Sequence, residues 1–434
     1  MVELNDWVTP WYDYGVPFWA KPPMSTWVTA ASFKAFGVNE FAARLPHFVA
    51  AVFVAWLIWQ WIRQRSPREA LLSTAILCGA GVFYISAGAV MTDMMLLVGM
   101  TLAVRGFWLG VNGTHSEQRS NRWLLFIGLA IGLLAKGPIA LVLAAIPTVT
   151  WVLIALRART VWERLPWFHG SIVVTLLAAP WYGLAELRTP GFLSYFILGE
   201  HWQRFTVAGW AGDLYGTAHA FPRGSIWLFA VAAFLPWSFL LPLAWIGRAK
   251  SAAPAPPADA QTAWRGYLVL WVLTPCVFFT VSGNVLATYV LPGLPAMAML
   301  TASLLAGDER IVRVDRVLAA GLLFVSAGVG SAVAAQHVSG GWKTTKALVR
   351  QHEQIRSGGE PLIFLGTRPY SAQFYSHGQA ERVTDLAALA QRLDGAPAWV
   401  ALRVSQSRDL PDALRVRLNY ESRHGAYDLF SVVR

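Results

Sequence analysis

Crossing a bilayer as a helix takes about 20 consecutive, mostly apolar residues. Ten stretches of this chain approach that length, at residues 45–61, 70–90, 93–111, 122–136, 137–156, 170–187, 225–246, 265–282, 285–306 and 317–336. The fourth and fifth nearly touch. Pro138 lacks a backbone donor and clashes with a continuing helix, so Gly137-Pro138 predicts two spans joined by a tight turn. Beyond residue 341 the pattern changes. Pro361-Leu-Ile-Phe-Leu365, Ala398-Trp-Val-Ala-Leu402 and Tyr427-Asp-Leu-Phe-Ser-Val-Val433 are short runs of strand type, and Ala387 to Leu393 reads as a helix capped by Thr384 or Asp385. The predicted fold is a polytopic α-helical membrane protein with a small C-terminal α/β domain. Residues 1–44 form a loop with interfacial helices, 45–336 the transmembrane domain with a long loop at 188–223, and 341–434 the terminal domain.

Composition agrees, with 56% hydrophobic against 14% charged residues in 434 positions, too few charges to cover a soluble protein of this size. The 35 Lys and Arg against 24 acids give a net charge of +11, which in a soluble chain would suggest nucleic acid. Here the cations sort by loop instead. Arg63, Arg65 and Arg68, then Arg119 and Arg122, Arg157, Arg159 and Arg164, Arg248, Lys250 and Arg265, and Arg310, Arg313 and Arg316 fill alternate connections, which the positive-inside rule assigns to the cytoplasm. The N-terminal 44 residues, the turns near Asp93, Gly137 and Asn284, the loop 188–223 and the tail then face outward. A chain that starts outside without a signal peptide predicts a further helix upstream. Cys78 and Cys276 lie in apolar runs and define neither a disulfide framework nor a zinc site. Ser251 to Gln261 reads as a linker, and no glycine-rich nucleotide motif is present.

The outward side collects the candidate chemistry. Lys21, before Pro22-Pro23 and the helix predicted from Ser25 to Phe36, either presents an ammonium beside a positive helix end, a setting for phosphate, or anchors that helix in headgroups. Asp93 opens a span and reads as a helix cap or as a base. Lys136 ends a span, where it either snorkels or pairs with an anion. Glu200 and Arg204 are spaced to pair at i,i+4 beside His201, and Asn284 to Tyr289 precede a proline-broken span of the kind tolerated where backbone lines a cavity.

In order, Trp7-Val-Thr-Pro10, Gly15-Val-Pro-Phe-Trp-Ala-Lys-Pro-Pro23, Phe36-Gly-Val-Asn-Glu-Phe-Ala-Ala-Arg-Leu-Pro46, Thr92-Asp93, Ala135-Lys-Gly-Pro138, Glu200-His-Trp-Gln-Arg-Phe205 and Tyr289-Val-Leu-Pro292 resemble the signature of the C-type membrane glycosyltransferases. More narrowly they are similar to the protein-mannosyltransferase and aminoarabinose-transferase group. The likeness runs from residue 1 to about 306, and Arg368-Pro-Tyr-Ser-Ala-Gln-Phe-Tyr375 resembles the soluble domain of the bacterial branch.

The resemblance implies a polyprenyl-phosphate-linked sugar attacked at its anomeric carbon, with inversion, by a hydroxyl of lipid A, another glycan or a protein. The reaction would run on the periplasmic face of a bacterial inner membrane. It implies that Lys21 and Arg204, assisted by Lys136, bind the donor phosphate, and that Glu200, His201, Asn284 and Tyr289 line the cavity. Asp93 is the matched carboxylate, in the family a supporting acid. The family's principal carboxylate lies upstream of the tryptophan that Trp7 matches, before this sequence begins, which keeps a truncated or noncatalytic paralogue as the rival reading. A transporter is the more distant rival, since it would show repeat symmetry and midplane charges. Ala20 stands where the aminoarabinose branch can carry a metal-binding glutamate, so neither metal nor other cofactor is carried over.

Overall fold

The computed structural model describes residues 1–242, 246, 260–305, 314–338, 344–395 and 397–432. These divide into two compact units, Met1–Val325 and Ser326–Arg434.

In the first unit a short hairpin, β1 (Trp11–Asp13) with β2 (Val16–Pro17), precedes α1 (Met24–Phe36). Asn39 then caps α2 (Glu40–Ile62), its side chain accepting from the Ala42 amide at 2.8 Å. Ser66 and Pro67 start α3 (Pro67–Gly79), which α4 (Gly81–Ala87) continues after a bend of 71°. Next come α5 (Thr92–Asn112) and α6 (His115–Lys136), the latter opened by a Thr114–Glu117 capping box. Gly137, at φ +82°, ends α6 in a backbone conformation that glycine adopts without strain. Then α7 (Ile139–Ile154), α8 (Ala158–Arg164) and α9 (Trp167–Arg188) follow.

Among the described residues six helices are long and apolar enough to cross a membrane. They are Glu40–Ile62, Thr92–Asn112, Trp167–Arg188, Gln261–Thr280, Ala287–Leu305 and Asp315–Ala332. The other expected spans differ for physical reasons. Residues 70–90 form the bent pair α3 and α4, and 137–156 contain the 16-residue α7. The span expected at 122–136 is the inner part of α6, which begins seven residues earlier and carries charge in its first turns. Within 225–246, a helix at Ser225–Ala233 breaks before a single 3₁₀ turn at Trp237–Phe239, and 243–245 lie outside the described residues. The linker 251–259 and Arg310 and Arg313 also lie outside them.

Small residues let α5 and α6 approach closely. A Cβ added at Gly99, Gly106 or Gly128 would sit 2.7, 2.3 or 2.4 Å from facing backbone, the packing mode that serves where lipid removes the hydrophobic drive between helices. At the α5 end marked by Asn112, Arg157 donates to the Asn112 side chain at 3.2 Å and Arg164 donates to the Val111 carbonyl. The 21 residues of α5 rise about 30 Å at 1.5 Å each. Asp93 and these arginines therefore stand a hydrocarbon thickness apart, at opposite ends of one helix.

The second unit holds a mixed sheet in the order β4-β3-β5-β7-β6, with β3 Leu362–Leu365, β4 Glu381–Val383, β5 Trp399–Arg403, β6 Leu418–His424 and β7 Tyr427–Val432. β3 runs parallel to β4 and β5, whereas β7 is antiparallel to β5 and β6. Alternation along β3 and β5 sorts the core. Ile363, Leu365, Val400 and Leu402 pack with Leu389 and Leu393, while Leu362, Phe364 and Ala401 pack with Leu348 and Ala372. Three strands and the capped helix Leu386–Leu393 match the sequence expectation, with Asp385 as the cap. β4 and β6 were missed, being short or largely exposed and polar.

Candidate active site

Two prolines hold Lys21 immediately before α1, and hydrogen bonds fasten its segment to the loop after α9. The Trp19 amide donates to the Tyr215 hydroxyl at 2.9 Å, that hydroxyl donates to the Pro17 carbonyl at 2.7 Å, and the Trp19 indole donates to Thr189 at 3.1 Å. Tyr215 packs among Tyr12, Phe18 and Tyr195, with ring centroids 5.1, 4.8 and 6.0 Å away. The loop itself turns through a π-helical segment, Tyr195–Gln203, a rare geometry that recurs at functional sites.

On this frame Lys21 Nζ donates to Glu200 Oε2 at 2.9 Å, and Arg204 Nη1 donates to the same oxygen at 3.1 Å. Arg204 also reaches Asp213 at 3.1 Å, and the Tyr195 hydroxyl donates to Glu200 Oε1 at 3.2 Å. The Glu200 side chain is 2% exposed, against 14% for Arg204 and 26% for Lys21. The Glu200–Arg204 pair expected from the i,i+4 spacing is thus formed and buried. Burial pushes the Lys21 ammonium below the ordinary lysine value, against the raising pull of Glu200. For Arg204, burial acts downward and is outweighed by the upward effect of Glu200 and Asp213.

A second pair lies beside the first. Lys136 Nζ donates to Asp93 Oδ1 at 2.6 Å, with the two side chains 12% and 10% exposed, and its ammonium stands 4.6 Å from the centroid of the Tyr289 ring. This corrects two of the alternatives left open by the sequence. Asp93 is not a cap, because Met91 occupies that position without a side-chain hydrogen bond and Asp93 lies inside the first turn. Lys136 does not snorkel either, because it points at a carboxylate.

His201 joins the pairs through backbone. Its Nδ1 is 2.8 Å from the Phe196 carbonyl and its Nε2 3.2 Å from the Lys136 carbonyl, one of the acceptors a helix end leaves free. Burial lowers its pKa, against the raising effect of the two carbonyls. Gly137 is needed here, since a Cβ would come within 2.5 Å of the Phe196 ring.

The Asn284 side chain is engaged by the backbone of the loop after α9. Its amide donates to the Arg204 and Val207 carbonyls at 2.5 and 2.6 Å and accepts from the Gly209 amide at 2.9 Å, so the side chain is spent clipping the loop that carries Arg204. Sequence reasoning missed Asp213, Tyr195 and Tyr215. The signal available for Asp213 was an acid in a short Gly-Asp-Leu-Tyr-Gly stretch of an otherwise apolar chain.

The cluster therefore holds Lys21, Arg204 and Lys136 against Glu200, Asp213 and Asp93, with equal numbers of each sign. Among the described residues Arg204 Nε is buried without a hydrogen-bond partner, and Lys21 uses two of its three protons, on Glu200 and on the Ala20 carbonyl.

Residues 1–196 match the family model for dolichyl-phosphate-mannose-protein mannosyltransferase. An undecaprenyl phosphate-alpha-4-amino-4-deoxy-L-arabinose arabinosyl transferase of Edwardsiella ictaluri is 28% identical over 80% of this chain and 60% of its own length. The Aeromonas salmonicida protein of the same name is 31% identical over 73% of this chain and 56% of its own. The chain thus spans little more than half the length of these relatives. Crystal structures of ArnT from Cupriavidus metallidurans, bound to undecaprenyl phosphate and in the apo state, superpose with TM-scores of 0.78 and 0.80. Both do so at 18% identity, over 100% of this chain and 91% of the other, which shows a shared fold. In its ordered sequence matches the chain is similar to these aminoarabinose transferases, and it shares with ArnT the fold of a polytopic helical membrane protein with a C-terminal sheet domain.

Proposed function

We propose that the protein transfers a sugar from a polyprenyl-phosphate donor to a periplasmic acceptor hydroxyl, inverting the anomeric centre. The acceptor oxygen forms a bond to the anomeric carbon, the carbon–oxygen bond to phosphate breaks, and the lipid phosphate leaves with the electron pair. The acceptor proton passes to a carboxylate. Negative charge grows on the departing phosphate, where preplaced cations lower the barrier without reorganising. The observation that carries this reading is the convergence of Lys21 and Arg204 from distant segments onto one point, each with a donor to spare. The relatives' names specify an undecaprenyl-phosphate-linked aminoarabinose, and one of the solved neighbours is bound to undecaprenyl phosphate.

Roles divide by what each side chain already holds. Lys21 and Arg204 bind the phosphate. Lys136 is committed to Asp93 and assists at one remove, as a charge near the site. Asp93, neutralised in part by that lysine, orients and supports, and is a poor sole base while so paired. The acceptor is lipid A, another glycan or a protein. The face is periplasmic and the membrane the bacterial inner one, because the cluster and the arginines near Asn112 mark opposite ends of α5 and arginine-rich loops stay in the cytoplasm.

Lys21→Ala tests the reading. Hydrogen bonds from charged groups contribute roughly 1.5 to 3 kcal/mol, so turnover with a purified polyprenyl-phosphate sugar should fall at least tenfold. Unchanged kinetics would exclude Lys21 from the donor site.

A further inference from the structure

A carboxylate lies at the centre of the cation pair that should receive the phosphate. Glu200 Oε2 is bonded by both Lys21 and Arg204, and Asp213 holds Arg204 from another direction. An anion held by Lys21 and Arg204 must therefore rest beside the almost fully buried negative charge of Glu200. Binding sites that simply maximise phosphate affinity would leave such cations unpaired or pair them with water. Here three carboxylates cancel three cations before any ligand arrives.

The two lipids that this site meets in turn differ in charge. The donor is a phosphodiester with one negative charge. The spent lipid is a phosphomonoester, whose second ionisation near pH 6 gives it about −1.5 to −2 at pH 7. A fixed carboxylate at close range disfavours the second more than the first, and the difference is large where water is scarce. We propose that Glu200 sets the discrimination between donor and spent lipid: it tolerates the phosphodiester, and its repulsion of the monoester drives product release. The inference rests on Lys21 and Arg204 being the donor-phosphate site.

The test compares two ligands on one protein preparation, a short-chain polyprenyl phosphate and its methyl phosphodiester, with affinities measured in detergent at pH 7.5 for wild type and Glu200→Gln. The substitution should tighten the monoester at least tenfold and the diester threefold or less. The monoester should accordingly become a stronger product inhibitor of turnover. Asp213→Asn, which removes the other carboxylate on Arg204, should move the ratio the same way and covers the case in which Glu200→Gln does not fold. A monoester-to-diester ratio unchanged in the folded variant would overturn the proposal. So would loss of both ligands with folding kept, which would make Glu200 a support for the cations rather than a discriminator. Lys21→Ala separates the two levels: if it binds both lipids as wild type does, the donor-site reading itself fails.

Discussion

Replacing Asp93 by asparagine keeps shape and removes one charge from the Lys136 pair, whose N–O distance is 2.6 Å with both side chains nearly buried. At an effective dielectric of about 20 the gross attraction at that range is roughly 6 kcal/mol, most of it offset by the cost of taking two ions out of water. Removing one member does not return that cost, because the other ion stays buried. Measured losses for such single removals are about 3 to 5 kcal/mol. Asparagine still offers Lys136 a neutral acceptor, and the Tyr289 face keeps an attraction of about 1 kcal/mol, which places the loss at the low end of that range. The expected loss is about 3 kcal/mol, read from reversible unfolding in SDS mixed micelles, with turnover at least tenfold lower in the fraction that remains folded. Lys136→Met should cost a similar amount, and the double variant less than the two singles together, with a coupling of at least about 2 kcal/mol. A loss under about 1 kcal/mol with no coupling would refute the reasoning, for it would mean that water reaches the pair and screens it. Helix capping offers no alternative account, because asparagine caps as well as aspartate and Asp93 does not cap α5.

Two further outcomes follow from charge. The folded state holds the Lys21 proton less tightly than the unfolded chain, so this group's contribution to stability rises with pH between the two values. Lipid-phosphate affinity should do the opposite, falling on an alkaline limb whose midpoint lies below the ordinary lysine value of about 10.4. Lys21→Arg should move that limb upward, and an identical limb in the two proteins would assign it to another group. For orientation, single cysteines at Arg159 and Thr217 in a cysteine-free background should differ toward a membrane-impermeant thiol reagent in intact cells, the first protected and the second labelled. The reverse pattern would place the ion cluster on the cytoplasmic side.

The membrane class, the break at Gly137 and the cation–carboxylate character of the site were legible because each rests on local chemistry. Span lengths follow from apolar runs, and a Gly-Pro pair stops a helix wherever it occurs. What the runs did not reveal was where a span would bend. Residues 70–90 contain no proline, and the 71° break between α3 and α4 falls at Gly79 to Gly81, where a Cβ at Gly79 would meet the Trp237 ring at 2.9 Å. That constraint comes from a residue more than 150 positions away, so no window along the sequence could carry it. The partners of Asn284 were equally hidden. A polar residue in an outward turn resembles a ligand group, yet its three hydrogen bonds all go to backbone that the chain folds around it.

The pairing within the site was hidden for a related reason. Of its four ion pairs only Glu200–Arg204 is local, at i,i+4, while Lys21–Glu200 and Lys136–Asp93 join residues 179 and 43 positions apart. Sequence could identify the ions, since lysine and aspartate at the ends of apolar spans are costly and must be satisfied. It could not match them, because the cost is met equally by snorkelling, capping, lipid phosphate or a partner carboxylate, and the choice is made by tertiary approach. The Tyr215 anchor, the His201 bridge to the Lys136 carbonyl and the close packing of α5 on α6 make that choice here. They bring both pairs together with their carboxylates already in place, so under the proposed function an incoming lipid phosphate meets a balanced cluster rather than bare cations. On that reading affinity is set by which existing contacts the phosphate can exchange, and the carboxylates Glu200 and Asp213 weigh in its recognition as much as the lysine and arginine proposed to hold it.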